Sequence, residues 1–118
     1  MLSFSYAAVR LSEARQALMA PHPLGEAASY TAAFHGCASV LDSVWPIPRD
    51  ELDPQARAWV ATIEGVMDTT GIEDPTGRGT FAIRADQLTN DEKREFSAAL
   101  DGLADWFRDA ADAQRRGK

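Results

Sequence analysis

Two proline pairs, Pro21-His22-Pro23 and Pro46-Ile47-Pro48, constrain this chain more than any other feature. Proline removes a backbone donor and disfavours helix in the residue before it, so each pair ends whatever helix reaches it. Between and beyond these breaks, apolar residues recur at steps of three and four, the period of a helix with one buried face. The chain is therefore expected to fold as a few helices of moderate length that pack on one another.

The first helix is predicted over about 3–20, where Phe4, Ala7, Ala8, Leu11, Ala14 and Leu18 form one stripe and Arg10, Glu13 and Gln16 lie on other faces. The second, over about 25–45, carries Tyr30, Phe34, Cys37, Leu41 and Val44, with a row of small residues beside them at Ser29, Ala33, Gly36 and Val40. Such a row lets a second helix approach closely, which places this helix between two neighbours. Asp53-Pro54 opens the third helix, over about 54–70, with an acceptor at the cap and a proline where its missing N–H is harmless. Ala56, Trp59, Val60, Ile63, Val66 and Met67 supply its buried face, and Gly71 is a natural terminator.

Residues 71–88 read as one long irregular loop containing Gly71, Pro75, Gly77 and Gly79. The alternating run Thr80-Phe81-Ala82-Ile83-Arg84 predicts a short extended or β segment near 80–84, which would need a strand partner from elsewhere. The last helix, over about 90–116, starts at a capping box formed by Thr89 and Glu92. Its inner face is Phe96, Ala99, Leu100, Leu103, Phe107, Ala110 and Ala111, with Trp106 at the border, and Arg115-Arg116 suit its negative pole. The expected architecture is a single all-α domain over 1–118, an antiparallel four-helix bundle with one elaborated connection.

Charge and cysteine usage narrow the function classes. Twelve basic residues against 18 acidic ones give a net charge of −6, leaving no polybasic footprint for nucleic acid or an anionic membrane. A protein partner, of basic character if steering matters, or a second copy of the chain is the expected contact. The single Cys37 excludes an intrachain disulfide and a multi-cysteine metal site. The N-terminal residues lack the basic and apolar regions of a signal peptide, and no run approaches the ~18 apolar residues of a membrane span, so a cytoplasmic location is expected.

The candidate chemistry is sparse. His35 and Cys37 stand two positions apart on a helix, so they point roughly 200° away from each other and cannot form a nucleophile–base pair. Cys37 reads as a small buried hydrophobe, whereas His35 shares a polar line with Thr31, Ser39 and Asp42, with Glu64 or Arg57 facing it across the bundle. No His-x3-His or Glu-x-x-His spacing supports a zinc or di-iron site. Residues 71–80 look superficially like a phosphate loop, but lack the Gly-Lys-Ser/Thr ending that supplies the charge and the magnesium ligand. No cofactor is expected.

Two surfaces are expected to meet a partner. The loop would present Arg78, Phe81 and Arg84, since arginine and aromatic residues are common interface anchors. The last helix would present an acidic ridge of Asp101, Asp105, Asp109 and Asp112 to a basic protein, interrupted by Arg108. Trp45, Trp59 and Trp106 read as core edges or as caps on a dimer seam.

The stretch Ser29-Tyr30-Thr31-Ala32-Ala33-Phe34-His35-Gly36-Cys37-Ala38 resembles a helix of the higher eukaryote and prokaryote nucleotide-binding domains, small helical bundles often found in toxin–antitoxin pairs. That family's Arg-x4-His ribonuclease motif is absent here, so the resemblance implies a bundle without that activity. The leading expectation is a non-enzymatic helical protein of bacterial type acting by protein–protein contact, as an immunity, antitoxin or inhibitor-like module. A ligand-binding or enzymatic bundle centred on His35 and a structural homodimer are the alternatives.

Overall fold

The computed structural model describes residues 4–19, 23, 25–41, 52–77 and 79–116. They form five helices: α1 (Phe4–Met19), α2 (Glu26–Leu41), α3 (Pro54–Met67), α4 (Thr80–Gln87) and α5 (Asn90–Arg116). No strand occurs among the described residues, and no helix there is long and apolar enough to cross a membrane.

α5 is the spine. Its 27 residues make a rod of about 40 Å, within a molecule measuring 50 × 28 × 24 Å. Phe96, Ala99, Leu100, Leu103, Ala104, Phe107 and Ala111 are buried along it. That spacing is a helix stripe wide enough to receive more than one neighbour. α1 packs on α5 and on α2, α3 packs on α5, and α4 packs on α2.

Cross-helix pairs fix the directions. The Phe4 amide donates to Gln114 Oε1 at 3.0 Å and Arg15 reaches Asp105 at 3.0 Å, so α1 runs antiparallel to α5. Arg10 Nε donates to Ser39 Oγ at 3.1 Å while Gly36 sits against Ala14, so α2 runs antiparallel to α1. Asp53 meets Trp106 and Trp59 meets Gly102, so α3 runs antiparallel to α5. The four long helices thus alternate in direction along the chain, as the sequence reading of an antiparallel bundle expects.

Helix starts follow the local signals. Asp53 Oδ1 accepts the Ala56 amide at 2.8 Å ahead of Pro54, and Trp106 Nε1 donates to its other oxygen at 2.9 Å. One carboxylate therefore caps α3 and fastens it to α5, and the Ala56 amide, followed by the Trp106 donor, holds its carboxyl below the usual range. At α5 the capping box closes in both directions, with Glu92 N donating to Thr89 Oγ1 at 3.1 Å and Thr89 N donating to Glu92 Oε1 at 2.9 Å.

The extended segment expected near 80–84 is instead helical, and it shortens the irregular connection to residues 68–79. A lone strand there would leave its backbone donors and acceptors unpaired, whereas a helix satisfies them internally. Ala82, Arg84, Ala85 and Gln87 favour helix. Phe81, Ala85 and Leu88, at steps of four and three, bury one face: Ala85 and Leu88 are buried and the Phe81 ring stands edge-on to Phe34 at 5.7 Å. Gly79, at φ 93°, turns the chain into α4, and its amide donates to Asp74 Oδ2 at 2.8 Å. α3 ends at Met67 rather than near residue 70, with Asp68 accepting the Thr70 amide at 2.9 Å just beyond. The expected last turn of α2 beyond Leu41 lies outside the described residues.

Two helical glycines mark where the bundle is tightest. A Cβ on Gly102 would lie 2.4 Å from the Trp59 ring, and one on Gly36 would lie 3.0 Å from Ala14 Cβ. Gly65, on the exposed side of α3, meets nothing within 4 Å. Gly65→Ala is therefore expected to stabilise the fold by about 0.5–1 kcal/mol through helix propensity alone. Gly102→Ala is expected to destabilise it by about 1–3 kcal/mol through overpacking, and this loss should shrink in a Trp59→Leu background. Urea unfolding of the four variants checks both signs, and a stabilising Gly102→Ala would contradict the packing described.

Candidate functional site: the outer face of α1 and its trough with α5

Of the polar site expected at His35, Thr31 and Asp42, two residues, His35 and Thr31, are described. The His35 ring is exposed and edge-on to Phe81 at 5.0 Å, and the hydroxyl of Thr31, one turn earlier, donates back to the Ala27 carbonyl at 2.8 Å. Asp42 lies outside the described residues. α4 covers the His35 side of α2, while α3, which carries the exposed Arg57 and Glu64, packs on α5. Cys37 is fully buried, and that burial pushes its thiol up to about 12, so at neutral pH it is a protonated core side chain. Among the described residues no group of three or more histidine, cysteine or acidic side chains gathers where it would hold a metal ion.

The loop candidates separate. Arg78 lies outside the described residues. Phe81 is half-buried between Phe34 and His35. Arg84 turns inward: Nε donates to the Val66 carbonyl at 2.7 Å and Nη2 to Glu92 Oε2 at 2.6 Å. One guanidinium thereby joins the last turn of α3, the body of α4 and the first turn of α5. The Thr89 amide first, and Arg84 second, hold the Glu92 carboxyl below its ordinary value. Two roles read separately from the sequence, an interface arginine and a capping glutamate, meet in one internal clamp.

The acidic ridge is present but interleaved with arginine. Asp101 is exposed, as expected of a solvated face. Asp105 accepts from Arg15 of α1 at 3.0 Å and lies 3.3 Å from Arg108. Asp109 stands 3.7 Å from Arg108, and Asp112 pairs with Arg115. Three of the four aspartates thus face a guanidinium, and the ridge presents far less net negative charge than its sequence suggests.

Sequence reasoning missed the most open apolar surface. Tyr6, Val9 and Met19 are 51%, 58% and 77% exposed, and all three lie on α1. They fall off the buried stripe, which is the signal that would have found them: apolar residues occupy nearly every side of this helix. Beside Val9 a trough of about 390 Å³ runs between α1 and α5. Ala8 and Ser12 on one wall and Ala104 and Ala111 on the other are too small to fill it. Met19 continues the row Ala8, Ser12, Arg15 at steps of four, three and four. Such a surface offers contact area and charge to another molecule.

Glu92→Gln keeps a capping side chain while removing its charge, so it isolates the clamp's ionic part. Because the folded carboxyl is depressed, its stabilisation is present above the unfolded value of about 4.5 and is lost as pH falls through the lower folded value. Wild type is expected to exceed Glu92→Gln by about 1–2 kcal/mol at pH 7, with the gap closing by pH 3; a gap independent of pH would refute the assignment. Native Cys37 is expected to resist a thiol reagent at pH 8 and to react with one equivalent in denaturant, and rapid native labelling would contradict its burial.

No protein-family model matches this chain, and no solved structure matches it. Among curated proteins it is similar to a ribosome maturation factor, RimM, from Anaeromyxobacter sp. (strain Fw109-5), at 42% identity over 53 residues. The match covers 45% of this chain and spans about a third, 32%, of that relative's length.

Proposed function

We propose that this protein is a non-catalytic helical module that works by binding another protein through the outer face of α1. The observation that carries the reading is that the exposed large apolar side chains of the described residues, Tyr6, Val9 and Met19, all lie on α1, with Tyr6 and Val9 one turn apart. Further support comes from the chemistry available among the described residues: the thiol is buried, and the His35 ring stands edge-on to Phe81. A net charge of −6 favours a protein surface over a phosphate backbone as the direct contact.

The partial similarity to a ribosome maturation factor supplies the cellular setting to try first, assembly of ribosomal particles. Inhibitor-like action, as by an immunity protein or antitoxin, is a second form that such contact could take. Tagged chain sedimented through a gradient of native lysate is expected to travel with ribosomal precursor particles. Tyr6→Ser/Met19→Ser should release it, whereas Arg57→Ser on exposed α3 should not. Wild type confined to the top of the gradient would remove the ribosomal setting. A partner captured equally by wild type and by Tyr6→Ser/Met19→Ser would remove the α1 face.

A further inference from the structure

We infer that α4 is a latch: it leaves α2 as a unit while the four long helices stay packed, and so uncovers an apolar side of α2 that the closed fold keeps hidden. This device is independent of the α1 face. Three observations carry it. The first is how little of α4 is buried. Of its eight residues Ala85 alone is buried, Phe81 and Ile83 are half-buried, and the helix it packs on is α2. A helix this short does not hold its own hydrogen bonds in water, so leaving that surface means unwinding.

The second is the pair of connections. The described residues between α3 and α4 carry no helix, and Gly71, Gly77 and Gly79 turn the chain there at φ 81°, 74° and 93°. Gly79 opens α4 with no side chain to cap it. At the other end only Leu88, in extended backbone, and Thr89 separate α4 from α5. The long connection supplies slack and the short one a pivot, so α4 can part from α2 while α3 and α5 keep their packing.

The third is the bolt and what lies under it. Arg84 ties α4 to the end of α3 and the start of α5, with Nε donating to the Val66 carbonyl at 2.7 Å and Nη2 to Glu92 Oε2 at 2.6 Å. Both charged side chains are largely sheltered from water, where charge-assisted bonds hold best. Beneath α4 the Phe34 ring is fully buried, with Phe81 on one side at 5.7 Å and Phe96 of α5 on the other at 5.1 Å. His35 meets the same Phe81 ring. Opening removes Phe81 and leaves Phe96 in place, so one side of Phe34 becomes accessible while the α2–α5 contact persists.

Amide hydrogen exchange of the whole chain, read residue by residue by NMR, tests the latch. Amides of residues 83–87 are expected to exchange about a hundredfold faster than those of Leu100 and Leu103 in α5, which wait for the whole fold to open. Ile63→Val, a change in the buried face of α3, weakens the closed and the latch-open forms alike. It should speed Leu100 and Leu103 by about threefold and leave residues 83–87 unchanged. Arg84→Gln withdraws the bolt and should speed residues 83–87 by about tenfold in a chain that still folds. Arg94→Gln, which removes an exposed guanidinium paired with Asp91 in the same turn of α5 as Glu92, should not. Residues 83–87 that exchange at the rate of Leu100, or that follow Ile63→Val, would mean that α4 opens only with the whole fold and would overturn the latch. Wholesale unfolding of Arg84→Gln, or exchange in residues 83–87 indifferent to it, would overturn it as well.

Discussion

Everything in this fold leans on the apolar stripe of α5. Phe96, Leu100, Leu103 and Phe107 are fully buried, and they are so because three other helices deliver residues onto them. Tyr30 and Phe34 of α2 set their rings against Phe96, at 6.0 and 5.1 Å. Phe4 of α1 stands edge-on to Phe107 at 5.6 Å and to Trp106 at 5.9 Å. Trp59 of α3 lies over Gly102. Aromatic burial of this kind contributes several kcal/mol at each position, whereas the surface ion pairs contribute little. The polar contacts therefore set register and ends more than they hold the bundle together. Asp53 fastens the start of α3, Arg84 its end, and Lys93 pairs with Glu26 where α2 and α5 begin.

Much of this was legible in the sequence because its signals are local. The Asp53-Pro54 start, the Thr89–Glu92 box and the α5 stripe each depend on residues within a turn or two; the first two form as read, and the stripe does so except that Ala104 is buried and Ala110 only half-buried. The segment from Thr80 to Gln87 was not legible for the opposite reason. Five residues that alternate Phe81 with Ile83 fit a strand as well as a helix, and only the surface of α2, distant in sequence, decides between them. The same distance hid the role of Arg84, whose partners Val66 and Glu92 lie on two other helices.

The candidate site was harder still. His35, Thr31 and Asp42 attracted attention because they are the residues chemistry uses, yet a shared helical face does not make a concave site. His35 is exposed beside Phe81 of α4, and the half-buried Thr31 donates its hydroxyl to its own helix. The acidic ridge attracted attention as a run of like charge, but Arg15, which answers it from α1, is 90 residues away in sequence. What the structure adds is a feature of α1: its outer side is mixed, with Tyr6, Val9 and Met19 exposed among Arg10, Glu13 and Gln16. Val9 remains uncovered beside a channel that small residues leave open, and Tyr6 and Met19 are exposed elsewhere on the same helix.

Hydroxyl-radical footprinting of the chain, purified and again inside its native lysate, tests the α1 face directly, because Tyr6 and Met19 are readily oxidised and the exposed His35 on α2 serves as the internal comparison. The account gives strong labelling of Tyr6 and Met19 in the purified protein and protection of both in the lysate, with His35 unchanged. Unaltered labelling of Tyr6 and Met19 together with protection of His35 would contradict it and move the contact surface to α2 and α4.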